Sequence, residues 1–399
     1  MTAGWERTPN LVPSRYNFEG MAWRPFRYLL VAAVLSLWWA PASFAQFDPR
    51  TALIEQAGWG ALAAGRAHAA ADAFREAITN DPRNARLHLG AGTAAFLERR
   101  DADARADLER ALALDPKLTP ARVLLGQVQH RMGDLLAAIS TFETLVAQAP
   151  DDPEARATLD RWRREATLHD RMQQAIGSHF TVSFEGPTEE RLASEALDSL
   201  DRAYWRIGAM LGTFPSDAVP VVLYTTEQFG DLTRSPTWAA GAYDGTIRVP
   251  MRGALDNPQE LDRVLAHEFT HALVRTLAAP RPAAARGTPL VARGVPAWLN
   301  EGLATLLEAE DLTWAERRVR DAPAPIPLQA LQSGFARFGG AQADLAYATS
   351  ALAVRRLIEN ASGAAITNLL RDLGDGVDFD TAFLHRIQRS FSDFQAGVF

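Results

Sequence analysis

The sequence contains no cysteine. Disulfides are excluded, and so is any metal site built on thiolates. A zinc site in this chain has to be made of histidine and carboxylate. Lysine is nearly missing as well: Lys117 is the only one, and arginine supplies the rest of the 41 basic residues. Acidic residues outnumber basic ones and the formal net charge is −7. That balance gives no support to nucleic-acid binding as a main role. Long apolar runs are also lacking. The run from Tyr28 to Ala40 has thirteen residues, short of the ~20 that a membrane-spanning helix needs. What remains is an ordinary globular balance, 47% hydrophobic and 22% charged, in 399 residues. That is enough chain for two or three domains.

The first 45 residues read as a leader. Met1 to Gly20 shows no periodic pattern and is expected to be disordered. Met21 to Arg27 carries two positive charges, Tyr28 to Ala40 is apolar, and Pro41 to Ala45 ends in small residues. These are the three regions of a signal peptide, with Met21 as a possible start and cleavage after Ala45. The expectation is export to the periplasm or beyond, with no stable membrane span left after cleavage. Without cysteine there is no lipoprotein anchor.

A repeat follows. Pro82, Pro116 and Pro150 are 34 residues apart, as are Gly58, Gly92 and Gly126, and Ala70, Ala104 and Ala138. Phe74, Leu108 and Phe142 mark a further shared position, and Ala77, Ala111 and Leu145 another. This period and pattern resemble the tetratricopeptide repeat: paired antiparallel helices, small residues where they cross, an aromatic in the seam and a closing proline. The resemblance implies an all-α solenoid over 50–176, made of three units and a polar capping helix from Asp152 to Ile176. Such a solenoid implies a groove that holds a peptide or partner protein. The other reading is a rigid spacer, or a platform packed on the next domain. His68, His88 and His130 occur singly, without metal-ligand spacing, and read as packing or surface residues.

The remainder, 179–399, alternates strand and helix signals. His179 to Phe184 and Pro220 to Tyr224 read as strands, Glu189 to Leu211 as a helix, and Thr226 to Leu232 as a short helix. Asp244-Gly245, between β-formers in Trp238 to Pro250, is a hairpin signal. Asp256 or Asn257 followed by Pro258 opens a helix that runs to about Thr276. The chain as a whole is therefore expected to be α+β: a helical solenoid, then a domain of strands and helices.

That last helix carries His267-Glu268-Phe269-Thr270-His271. Histidines four apart share a helix face, so both imidazoles can reach one metal ion. Val264, Leu265, Leu273 and Val274 around them are apolar, so the helix is expected to be buried. Buried histidines and a glutamate need pairing or a metal. Zinc normally takes a third protein ligand and leaves a position for water. The next acidic candidate is Glu301, in Trp298-Leu299-Asn300-Glu301-Gly302-Leu303-Ala304, on a helix opened by Pro296.

His-Glu-Phe-Thr-His followed by Trp-Leu-Asn-Glu-Gly-Leu-Ala resembles the gluzincin metallopeptidases, and within them the bacterial peptidase-MA-like branch. The resemblance runs from about Val182 to the C-terminus. It implies a zincin-like domain, a small mixed sheet plus helices, in which His267, His271 and Glu301 bind zinc and Glu268 is the catalytic base. An edge strand before the zinc helix would hold substrate, which places the 238–250 hairpin beside the cleft. A downstream tyrosine often stabilises the oxyanion in that family, and Tyr347 is the candidate. Asn300 is a candidate to orient a ligand. No acidic residue stands four after Glu301, where the chain has Thr305. One departure is the thirty-residue step from His271 to Glu301, longer than in the aminopeptidases, with Ala278 to Gly294 reading as an inserted loop. No exopeptidase motif is found, which favours an endopeptidase acting on a peptide or protein. The competing reading is a scaffold or chaperone-like binding protein with an inactive peptidase domain.

Overall fold

The computed structural model describes residues 49–64, 66–98, 100–233, 242–243, 245–251, 257–279, 294–308, 311–332, 334–335 and 338–398. The expected leader, residues 238–241 and Asp244 of the expected hairpin, Asp256, and residues 280–293 of the expected loop lie outside them.

Helix pairing in the first half follows from one recurring contact. The helices are α1 (Pro49–Ala63), α2 (Ala67–Asn80), α3 (Ala85–Leu97), α4 (Asp101–Leu114), α5 (Thr119–Arg131), α6 (Leu135–Gln148) and α7 (Pro153–His169). Each odd-numbered helix before α7 sets a glycine against a large side chain of the helix after it. A Cβ at Gly58 would lie 2.8 Å from the ring of Phe74, one at Gly92 2.8 Å from Leu108, and one at Gly126 2.4 Å from Phe142. The repeating glycine and the repeating large residue are therefore two sides of one close approach, sixteen residues apart in every unit. Asn84, Asp134 and Asp152 cap α3, α6 and α7, each accepting from backbone N–H groups of the first turn. Trp162 of α7 closes the stack, parallel to His130 at 4.9 Å and edge-on to Phe142 at 4.5 Å.

The capping helix ends earlier than the sequence pattern predicts. It stops at His169, and Gln173–Ile176 forms strand β1 instead of continuing the helix to Ile176. β1 pairs antiparallel with β2 (Phe180–Phe184), Gln173 opposite Phe184. A tight turn makes this possible: the Gly177 N–H donates to the Phe180 carbonyl at 2.9 Å. The Arg and Glu residues that suggested helix run out at Arg171, and the largely exposed β1 gains its backbone partners from the sheet.

Five strands form one mixed sheet in the order β1-β2-β3-β5-β4. β3 (Val219–Tyr224) lies parallel to both β2 and β5 (Ile247–Pro250), and β4 (Ala242–Tyr243) pairs antiparallel with β5. α8 (Pro187–Leu211) precedes β3 and the short α9 (Thr226–Thr233) follows it. Leu192, Leu200 and Ile207 of α8 share one core with Val182, Val221 and Ile247 of the sheet and with Leu265 and Phe269 of α10 (Pro258–Leu277). Asn257 caps α10, its side chain accepting from Glu260 N–H at 3.3 Å. The expected small mixed sheet is thus present, with helices packed on it.

Beyond α10 the chain is helical: α11 (Ala297–Glu308), α12 (Thr313–Arg320), a 3₁₀ turn (Leu328–Leu331), α13 (Ala341–Ala361), α14 (Gly363–Gly374), α15 (Phe379–Ile387) and α16 (Phe391–Ala396). α11 packs hard on α13. A Cβ at Gly302 would meet the Ser350 carbonyl at 2.5 Å, so the residue next to Glu301 has to be glycine for the helices to approach. Trp298 is fully buried against Phe379, Phe391 and Phe394 of the C-terminal helices. Among the described residues no helix is long and apolar enough to cross a membrane.

Candidate metal centre

α10 and α11 meet at the histidines. His267 and His271, one turn apart on α10, lie with ring centres 4.8 Å apart and planes near perpendicular. Glu301 faces them from the second turn of α11. Its Oε2 is 3.6 Å from His267 Nε2 and 3.6 Å from His271 Nε2. All three donor atoms lie within 4.8 Å of one another. Tetrahedral zinc with bonds of about 2.0–2.1 Å holds its donors about 3.3–3.5 Å apart, so the cluster is close to the dimensions a zinc ion needs. The His267 and Glu301 side chains are 2% and 8% exposed and that of His271 is 11% exposed, so solvent reaches the cluster on the His271 side.

The other ring nitrogens are held from behind. His267 Nδ1 lies 2.6 Å from Glu308 Oε2, and His271 Nδ1 lies 3.1 Å from Asn300 Oδ1. An oxygen acceptor at Nδ1 fixes the tautomer that presents the Nε2 lone pair, which is the usual way a ligand histidine is oriented. Glu308 is itself tied down: Arg263, one turn before His267, donates from Nη1 to Glu308 Oε1 at 3.1 Å. Arg263 also bonds Glu260.

Electrostatics points the same way. Burial disfavours a charge on His267, but the carboxylate of Glu308, with Glu301 and Glu268, outweighs it and pushes the imidazole up to about 10. Burial also disfavours charge on His271. Glu301 opposes that effect and the neighbouring His267 adds to it, leaving His271 below its ordinary value. Two imidazoles among three buried carboxylates thus create demand for positive charge. A divalent cation meets that demand without protonating a ligand.

The residues expected from the sequence fall as follows. His267, His271 and Glu301 come together. Glu268 sits next to His267 on α10, 1% exposed. Asn300 reaches His271. Tyr347 is on α13, 1% exposed, edge-on to Phe335 with ring centres 4.9 Å apart. Glu308 is not among the residues expected from the sequence: four residues past Glu301 the chain has Thr305, which is no carboxylate. Seven residues is two turns, and that spacing returns to the face of α11 that bears Glu301.

The tetratricopeptide repeat family matches residues 95–161. The match covers part of the solenoid and ends before the histidine cluster; the chain carries tetratricopeptide repeats. Similar solved structures include the first tetratricopeptide domain of Spaghetti (RPAP3) bound to an HSP90 peptide, at 22% identity, 29% of this chain, 95% of that chain and a TM-score of 0.28. The Arabidopsis OM64 tetratricopeptide domain matches at 19% identity, 29% and 95% coverage, TM-score 0.28. MamA matches at 22% identity, 39% of this chain and 88% of that one, TM-score 0.30. No curated protein matches the chain.

Proposed function

We propose that this chain is an exported zinc-dependent peptidase, with its solenoid recruiting a protein substrate or partner. One observation carries the reading: two Nε2 atoms converge on one buried carboxylate while each Nδ1 is held by an oxygen acceptor. His267, His271 and Glu301 would hold zinc, which lowers the pKa of a water ligand toward 7 and polarises a carbonyl. Glu268 takes the proton from the attacking water and returns it to the leaving amine. Tyr347 is proposed as a donor to the oxyanion. β4, the outer strand of the sheet, is proposed to pair with an extended substrate segment. An endopeptidase is proposed because the sequence carries no exopeptidase motif.

The test is zinc content together with hydrolysis of unfolded casein. About one zinc per chain is expected, lost in His267→Ala. Glu268→Gln should keep the zinc and lose at least ~10²-fold in rate. Full hydrolysis in that variant overturns the reading.

A second reading has its own support. The family match lies wholly in the solenoid, and that favours a protein-binding role. In this reading the repeats bind a partner and the second half is a catalytically silent platform. A well-folded wild-type chain that takes up no zinc, or binds zinc without cleaving casein, would select it.

A further inference from the structure

Three elements beside the histidine cluster touch the solenoid. The first is the β4–β5 hairpin, which α10 packs against. At its turn Gly245 adopts φ +118°, and a Cβ there would lie 3.2 Å from the Arg131 carbonyl at the end of α5. The second is the last turn of α10. Arg275 stands one turn past His271, and its Nη2 is 3.4 Å from Asp101 Oδ2 on α4. The same guanidinium lies 6.0 Å from the ring centre of Tyr243 in β4. Asp101, 5% exposed, also holds Arg131. The third is the approach to α11, where a Cβ at Gly294 would lie 3.7 Å from the Glu98 carbonyl.

A second anchor grips the hairpin through β5. Arg248 is 5% exposed and pairs in register with Ala242 of β4 and Val222 of β3. Its Nη1 donates to Glu165 Oε1 on α7 at 2.8 Å and to the Tyr224 hydroxyl at 2.9 Å. Glu165, 2% exposed, also holds His130 Nε2 at 2.8 Å through its other oxygen. His169, the last residue of α7, meets the Tyr224 hydroxyl at 2.7 Å. A loosely tethered recruiting arm would meet its neighbour through solvated contacts and move against it. Here the Arg248–Glu165 pair that crosses between the halves is buried on both sides, and separating it would strand charge out of water.

We infer that the solenoid is a fixed wall of the site, and that Asp101, Arg131 and Glu165 are positioning residues for the β4–β5 edge. The role of that edge in holding substrate rests on the peptidase reading; the clamp on the edge does not. The solenoid and the histidine cluster therefore stay in one orientation, so a protein segment lying on the solenoid is presented to the cluster at a constant distance.

The test uses the full-length protein and hydrogen exchange over residues 242–251, in wild type, Asp101→Asn and Glu165→Gln. Both variants should speed exchange of the Ile247, Arg248 and Val249 amides about tenfold or more. Exchange in 265–273 and the zinc content should not move. With unfolded casein as substrate, KM should rise several-fold while kcat stays within about twofold. Unchanged hairpin exchange in folded variants overturns the inference. So does faster exchange with KM and kcat both unmoved. If Glu165→Gln fails to fold, Arg275→Gln tests the other anchor by the same readout. A wild type that cleaves nothing, with a hairpin that loosens as described, sinks the peptidase reading and leaves the clamp standing.

Discussion

The solenoid and the half that carries the His267–His271–Glu301 cluster both set histidines beside carboxylates, to opposite effect. In the solenoid His68, His88 and His130 each lie beside oxygens of their own. His68 lies between Asp72 and Glu98, at 3.0 and 3.4 Å. His88 lies 3.2 Å from Asp107 and 3.2 Å from the Pro82 carbonyl. His130 meets Glu165. Each ring there has its own oxygen neighbour, and no two rings share one. On α10 the two rings are a turn apart and share Glu301, with further oxygens behind them. A histidine–carboxylate pair is therefore no sign of a metal centre. Two imidazoles converging on one acid, each held at the far nitrogen, is the arrangement that fits one.

The comparison breaks if the halves are energetically separate, and a core truncation in the solenoid asks that question with the largest expected effect. Phe142 is 1% exposed and fills the space over Gly126 beside Trp162. Phe142→Ala should cost about 3–5 kcal/mol. With Glu165 and Asp101 joining the halves, the loss should appear in one cooperative urea transition that carries the histidine cluster with it. A second half that melts separately, at its wild-type midpoint, would show two independent regions that merely adjoin.

Legibility in the sequence divides along the same line. The solenoid could be read because each contact repeats: Gly58 with Phe74 recurs as Gly92 with Leu108 and Gly126 with Phe142, and period exposes it. The histidines could be read because helical geometry fixes the four-residue step. Glu301 followed because zinc requires a third ligand. Glu308 is hidden because it lies two turns past Glu301, beyond the four-residue step, and β1 because a mostly exposed edge strand has little pattern of its own. The ties between the halves were out of reach altogether. Glu165 and Arg248 are 83 residues apart, and Asp101 and Arg275 are 174 apart. Neither pair repeats or matches a motif, and only the packing of α7 and α4 on the second half brings them together.

Acid should loosen this junction in a defined window. Burial alone would raise the Glu165 pKa, but the Arg248 charge, helped by the hydrogen bond with His130, overrides it and holds the carboxyl at about 2, against 4.5 in the open chain. A depressed folded value means stability that is complete above the unfolded value and lost as pH falls through 4.5 toward 2. The shift corresponds to about 3 kcal/mol. The gap in urea stability between wild type and Glu165→Gln should therefore be widest at pH 6 and narrow by pH 3. A gap that stays constant would mean Glu165 contributes through packing, without its charge.

Glu308 allows the smallest and most specific comparison, since the same kind of pair exists in both halves. Glu308→Gln keeps an oxygen near His267 Nδ1 but removes the charge that Arg263 holds in place. Loss of such an acceptor typically weakens metal binding about 10–100-fold. Competition against a chelating dye should show that drop in the purified protein, with folding intact by circular dichroism. Asp107→Asn makes the matching change beside His88 and should leave zinc affinity where it was. If both variants bind zinc as the wild type does, the Nε2 geometry alone sets the affinity and the oxygen behind His267 serves packing. If only Glu308→Gln weakens binding, the difference between the two halves lies in what the far nitrogen of each histidine is made to do.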